Sequence, residues 1–265
     1  MQKYGILIDT TMCIACYACE EADAVRWGRK EPTADHILSS EKRTAVYTIN
    51  DNNLPRMCMH CQDPTCASVC PVGAFKKTSE GPVVYDVDKC IGCRYCMQAC
   101  PFDVPKYEWG SANPKVSKCD LCRDRIVSGG KPACVEACPT GARFFGTLDE
   151  VVEEAKKRIR ENPQTYYSEI YGLKEAGGTS IIYLSAKPFD QIGLRTNLPH
   201  EPLPDFTWAI MSKIPNYVGW AGTLLGGVWW ITNRRKEVAE FERKIREMEK
   251  RNPDSHSDNN PSHQK

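Results

Sequence analysis

The sequence predicts an α+β fold: two similar modules related by a pseudo-twofold repeat, then one C-terminal transmembrane helix. Three observations lead there. Cysteines recur in four groups of related spacing, short strand-like runs precede and matching Gly-Ala segments follow those groups, and residues 206–232 form an apolar run.

The most regular group is Cys90-Ile-Gly-Cys93-Arg-Tyr-Cys96-Met-Gln-Ala-Cys100-Pro101. Its form, C-x2-C-x2-C-x3-C-P, is the bacterial iron–sulfur run, whose fourth cysteine serves a different cluster from the first three. Three thiolates on a tight loop reach three irons of one cube, while the fourth sits a helical turn away. The proline then turns the chain and has no amide hydrogen to donate. One such motif calls for a partner motif, and the chain supplies several.

Composition narrows the alternatives. At 265 residues the chain suits one large or two small domains. Lys+Arg 35 against Asp+Glu 34 leaves a formal charge of +1, which offers no footprint for nucleic acid. The chain has 15 cysteines, an odd number. A disulfide scaffold does not repeat C-x2-C-x2-C triplets ending in Cys-Pro. Structural zinc fits isolated C-x2-C pairs but not the triplets. Met1-Gln-Lys-Tyr4 runs directly into the strand-like Gly5-Ile-Leu-Ile8, with no apolar signal region and no twin arginine.

Taken in order, residues 1–147 read as the cluster-binding part. A strand at Ile6–Asp9 leads into Cys13-Ile-Ala-Cys16-Tyr-Ala-Cys19-Glu-Glu-Ala-Asp23, the same motif with Asp23 in the fourth position. Residues 24–57 are a polar insertion whose alternating run Thr44–Ile49 suggests an edge strand. Next comes Cys58-Met-His-Cys61-Gln-Asp-Pro-Thr-Cys66-Ala-Ser-Val-Cys70-Pro71, with its middle gap widened. Gly81–Val87 is a strand leading to Cys90, as Ile6–Asp9 leads to Cys13. The fourth group is stretched: Cys119-Asp-Leu-Cys122, a spacer holding Gly129-Gly130, then Cys134-Val-Glu-Ala-Cys138-Pro139. Val72-Gly-Ala-Phe75 and Thr140-Gly-Ala-Arg-Phe144 follow their Cys-Pro pairs alike, so the chain contains an internal repeat. The repeat implies two ferredoxin-like modules in which clusters replace much of the apolar core and their ligand bonds contribute folding energy.

Residues 148–205 extend that unit. Thr147-Leu-Asp-Glu150 has the form of a capping box, and Leu148, Val151, Val152, Ala155 and Ile159 share one face of a helix over 148–161. Gly178–Ser185 reads as a buried strand, and the Pro-rich stretch 188–204 as a linker or surface strap. Residues 206–235 are the expected membrane span. At about 1.5 Å per residue the run 206–232 would reach ~40 Å, with Pro215 kinking its entry and Trp208, Trp220, Trp229 and Trp230 at the interfaces. Gly219, Gly222 and Gly226 share one face that could meet a neighbouring helix. Asn233-Arg-Arg-Lys236 flanks the C-terminal side, so the positive-inside rule places the C-terminus in the cytoplasm and the clusters on the outer, periplasmic face. Residues 236–265 read as a charged helix to about Arg251 and a polar tail.

These residues resemble a known family: the four-cluster iron–sulfur (beta) subunits of the molybdopterin oxidoreductase, or dimethyl sulfoxide reductase, superfamily. The likeness is greatest to the beta subunit of membrane-bound formate dehydrogenase and the iron–sulfur component of hydrogenase-2. Its carriers are Cys58-Met-His-Cys61, Asn113-Pro-Lys-Val-Ser-Lys-Cys119-Asp-Leu-Cys122, Pro132-Ala-Cys134, Cys138-Pro-Thr-Gly-Ala142 and Gly177-Gly-Thr179. The resemblance implies crossed ligation. One cluster takes Cys13, Cys16, Cys19 and Cys138; a second takes Cys119, Cys122, Cys134 and the Asp23 position; a third takes Cys58, Cys61, Cys66 and Cys100; a fourth takes Cys90, Cys93, Cys96 and Cys70. Three would be [4Fe-4S]. The one at Asp23 is either a [4Fe-4S] cluster with a carboxylate ligand or a [3Fe-4S] cluster, unless Asp23 is merely solvated beside Glu20 and Glu21. His60 is read as structural or as a hydrogen-bonding residue behind the ligands, with a ligand role as the lesser alternative. Lys118 and Arg123 either compensate a reduced cluster or are solvated.

The functional expectation is an electron-transfer subunit without a substrate site, since no nucleophile–base set, phosphate loop or flavin fingerprint appears. The resemblance implies a catalytic large subunit of molybdenum or tungsten pterin type on one side. On the other it implies a polytopic quinone-reactive or cytochrome b subunit in the lipid bilayer, with a partner carrying any export signal. A hydrogenase complex, a free polyferredoxin and a zinc-binding interaction module are the alternatives.

Overall fold

The main sheet is assembled on six residues near the N-terminus, Tyr4–Asp9, which form β1. A computed structural model gives this architecture for residues 2–29, 35–112 and 114–251. Part of the insertion (30–34), Asn113 and the expected tail 252–265, with His256 and His263, lie outside the described residues.

After β1 come α1 (Ala18–Arg26) and a hairpin of β2 (Ala45–Ile49) and β3 (Asn52–Arg56). α2 (Thr65–Ser68), the hairpin β4 (Phe75–Lys77) and β5 (Val83–Tyr85), and α3 (Tyr95–Ala99) follow. β6 (Lys106–Tyr107) pairs with β7 (Val116–Ser117), and α4 (Arg123–Val127) and α5 (Ala133–Glu136) precede β8 (Arg143–Thr147). Helix α6 (Leu148–Glu161) and β9 (Ile181–Leu184) complete the first of two compact units, Met1–Thr207. The second, Trp208–Lys265, begins within α7 (Leu203–Met211) and contains all of α8 (Ile214–Arg251).

The sheet order is β8-β1-β9, with β1 antiparallel to β8 and parallel to β9. Alternation along β1 and β9 sends side chains to opposite faces. Leu7, Ile182 and Leu184 meet Val151 and Ala155 of α6, all of them buried. Ile6, Ile8, Ile181 and Tyr183 enter the other core, alongside Leu54, Met57 and the cysteines Cys19, Cys58, Cys119 and Cys134. Helix α6 starts where its capping box predicts: Glu150 N donates to Thr147 Oγ1 at 3.3 Å and Thr147 N to Glu150 Oε2 at 2.7 Å. β1 and β9 approach so closely at Gly5 that a Cβ there would lie 2.5 Å from the Ser180 carbonyl oxygen.

The repeat appears as two helix pairs. α1 packs on α5, and α2 on α3. The first group thus sits against the fourth, and the second against the third.

The expected transmembrane helix is corrected. No helix among the described residues is long and apolar enough to cross a membrane. The run 206–232 is split: α7 ends at Met211, Ser212 and Lys213 form a turn, and α8 begins only at Ile214. Pro215 therefore falls in the first turn of α8, where a missing amide hydrogen costs little. Four glycines and Asn216 dilute the apolar part of α8, and the same helix continues through Arg234, Arg235 and Lys236. Without a span, the charge asymmetry around it assigns no orientation.

Candidate metal centres

Each cysteine loop leaves its strand or turn and winds into a short helix through residues with left-handed backbone. Tyr17 (φ 58°) precedes α1, Arg94 (φ 65°) precedes α3 and Cys122 (φ 51°) precedes α4. A left-handed turn costs a non-glycine residue about 1–2 kcal/mol, and such strain is tolerated where a site fixes the backbone. It curls the loop so that main-chain amides face sulfur. Gly92 N donates to Cys90 Sγ at 3.4 Å, Leu121 N to Cys119 Sγ at 3.3 Å and Ala74 N to Cys70 Sγ at 3.3 Å.

Two of the four expected sets line single cavities. Cys13, Cys16, Cys19 and Cys138 face one, with Val46, Thr140 and Arg143. Cys58, Cys61, Cys66 and Cys100 face another, with Pro64, Val83 and Lys118. In the fourth set, burial pushes the Cys96 thiol up to about 12, with Cys90, Cys93 and Cys70 as its neighbours. In the second, burial pushes Cys119 well up, and Cys134 and Cys122 are among its neighbours, while Asp23 is among those of Cys134.

Asp23 is buried, and its Oδ2 accepts the Arg43 amide at 3.0 Å. Burial raises this carboxyl against the lowering effect of that amide and of Arg43. It is not a solvated side chain. Glu20 is buried too: its carboxylate takes Lys42 Nζ at 2.8 Å and the Val46 amide at 2.6 Å. Arg123 pairs with Glu80 at 3.5 Å. Lys118 is buried, donating to the carbonyls of Val83 and Cys119.

The donor chemistry fits a polynuclear iron–sulfur group. Crowded, desolvated thiols resist ionisation, and burial with neighbouring thiols carries Cys66 to about 12. A cationic group that displaces their protons relieves this. Among the described residues no three His, Cys, Asp or Glu side chains converge as one ion would require, whereas zinc holds sulfur at about 2.3 Å. Four thiols around one cavity match the ligand count of a [4Fe-4S] cluster. An orphaned donor points the same way. His60 is fully buried, and its Nδ1 accepts the Val83 amide at 2.9 Å. Its ring proton therefore sits on Nε2, which has no hydrogen-bond partner among the described residues. That leaves His60 placed to donate rather than to ligate.

Arg143 is the functional residue that sequence reading missed. It is buried beside Cys19, Cys134 and Cys138, which hold its guanidinium charged against the opposing effect of burial. Its place in Thr140-Gly-Ala-Arg-Phe144 was visible, but its inward direction depends on the pairing of β8 with β1.

The fold and the thiol-lined cavities define an iron–sulfur protein. A family profile of 4Fe-4S dicluster domains matches residues 49–148. The hydrogenase-2 operon protein HybA of Escherichia coli O157:H7 is 37% identical over 236 residues, covering 72% of this chain and 72% of that protein. The formate dehydrogenase-O iron–sulfur subunit of Escherichia coli (strain K12) is 33% identical over 250 residues, covering 86% of this chain and 82% of that one. The iron–sulfur subunit of the nitrate-inducible formate dehydrogenase of the same strain is 33% identical over 219 residues, 75% of this chain and 73% of that one. This protein belongs to the family of iron–sulfur electron-transfer subunits that these relatives represent.

Proposed function

We propose that the chain relays electrons through four iron–sulfur clusters held in a line, between a catalytic subunit and a membrane subunit in anaerobic respiration. The observation that supports this is that successive cysteine sets lie close enough to influence one another electrostatically. Cys134 counts Cys19 among its charged neighbours, which joins the first set to the Asp23 set. Cys119 counts Cys58, which joins the Asp23 set to the third. Cys66 counts Cys96, which joins the third set to the last. The order is therefore Cys13/16/19/138, then Cys119/122/134 with Asp23, then Cys58/61/66/100, then Cys90/93/96/70. When bound, the clusters supply one-electron carriers. The protein's own residues would hold them near one another, donate amides to the ligand sulfurs and exclude water.

In this reading Asp23 is the fourth ligand of the second cluster, a harder donor than thiolate that changes that cluster's potential. Asp23→Cys is expected to move the potential of one cluster in a redox titration; four unmoved potentials would remove Asp23 from the ligand set. The chain itself has no catalytic site, and a pterin-bearing large subunit supplies the chemistry. A quinone-reactive or cytochrome b subunit exchanges electrons with the other end, which brings the complex to the cell membrane. Exposed Trp208, Trp220, Leu224, Leu225, Trp229 and Trp230 support such a protein partner.

Anaerobic purification from solubilised membranes, with companions identified by mass spectrometry, tests the whole reading. A large pterin subunit and a polytopic membrane protein are expected. The likeness to HybA favours a second version in which the catalytic companion is a hydrogenase. Recovery of the chain alone, in the soluble fraction, would refute both.

A further inference from the structure

Arg143 opens β8 opposite Ile8 of β1, yet its side chain turns away from solvent and the residue is 4% exposed. Its terminal nitrogens donate to Met57 Sδ at 3.2 Å and Thr44 Oγ1 at 3.1 Å. Both partners are neutral. A permanently charged guanidinium buried among neutral groups is strongly disfavoured unless negative charge stands nearby, and no carboxylate among the described residues pairs with it. What surrounds it is sulfur. Arg143 lines the cavity of Cys13, Cys16, Cys19 and Cys138, and its side chain also reaches the Cys134 sulfur of the next set.

We propose that Arg143 is a counter-charge shared by two neighbouring clusters, fixed between them and raising the reduction potential of both. The proposal rests on the four-cluster reading. Each one-electron reduction adds a negative charge to a cluster, and a cation in contact favours that state in a poorly solvated interior. Because the guanidinium does not titrate and is held by Met57 and Thr44, it assists both clusters without following the electron. The repeat shows that the placement is particular to this module. Cys138-Pro-Thr-Gly-Ala-Arg143 corresponds to Cys70-Pro-Val-Gly-Ala-Phe75, so the other module has an aromatic ring at this position. There a cation arrives from elsewhere in the chain, with Lys118 Nζ over the Phe75 ring at 5.8 Å.

The test is a potentiometric titration followed by electron paramagnetic resonance on the intact anaerobic complex, with iron content measured alongside. In Arg143→Met two clusters are expected to shift to more negative potential while the other two stay in place, and Arg143→Lys should restore most of the shift. Unmoved potentials in an iron-replete Arg143→Met protein would overturn the proposal. So would equal shifts in the Met and Lys variants, because the shape of the side chain and not its charge would then be responsible. If Arg143→Met fails to hold iron, a Lys variant with full iron and nearly native potentials supports the charge; loss of iron from both refutes it. Fewer than four clusters in the unmutated complex would refute the four-cluster reading, whereas unmoved potentials in a four-cluster complex refute only the role of Arg143.

Discussion

Glu20 and Asp23 share one helix, α1, and both turn inward, but they meet different partners. Glu20 holds the insertion: Lys42 Nζ at 2.8 Å, the Val46 amide at 2.6 Å and His36 Nδ1 at 3.1 Å all converge on its carboxylate. Breaking a buried pair by removing one partner typically costs about 3–5 kcal/mol, because the other charge stays buried and unpaired. Glu20→Ala is therefore expected to lower the unfolding midpoint in guanidinium, read anaerobically by loss of visible absorbance. Glu20→Gln, which keeps an acceptor for Val46, should fall between. A midpoint unchanged in Glu20→Ala would mean that the insertion is not fastened here. None of this was legible from the sequence, where Glu20 and Glu21 look like one acidic patch. Only the fold of residues 35–49 over α1 separates a buried carboxylate from an exposed one. The cysteines are the opposite case, since their spacing along the chain already states which of them share a loop.

At the scale of elements, legibility followed the same division. β1, α6 and β9 were visible because their periodicity and caps are local properties: an apolar run, a capping box, a strand bounded by Gly178 and Ser185. The run 206–232 was misleading because a count of apolar residues does not register a turn at Ser212–Lys213. Pro215 suggests a kink near the entry of one long helix, whereas it lies in the first turn of a second. The close approach of β1 and β9 was also invisible, since Gly5 looks like any flexible residue before a strand. Gly5→Ala should cost on the order of 1–3 kcal/mol, the usual range for overpacking, because the new Cβ meets a carbonyl oxygen at 2.5 Å. Thermal unfolding of the variant checks this, and an unchanged midpoint would show that the sheet yields there without penalty.

Across the whole molecule, the clusters belong to one compact unit and the long helix to another. A chain ending at Thr207 is thus expected to bind as much iron as the full chain while losing its membrane companion. Iron analysis and co-purification test the two halves separately, and loss of iron on truncation would count against the division. The order of the sheet also bears on how the protein is made. β1 is synthesised first but occupies the centre, between strands at 143–147 and 181–184. At about 5–20 residues per second a ribosome needs on the order of ten seconds or more to produce those partners. For most of that interval Cys13, Cys16 and Cys19 lie on nascent chain without Cys138, the fourth ligand of the proposed first set. On the proposed ligand sets, the first three cysteines to be made belong to the set that is completed last, because Cys138 is the final cysteine of the chain.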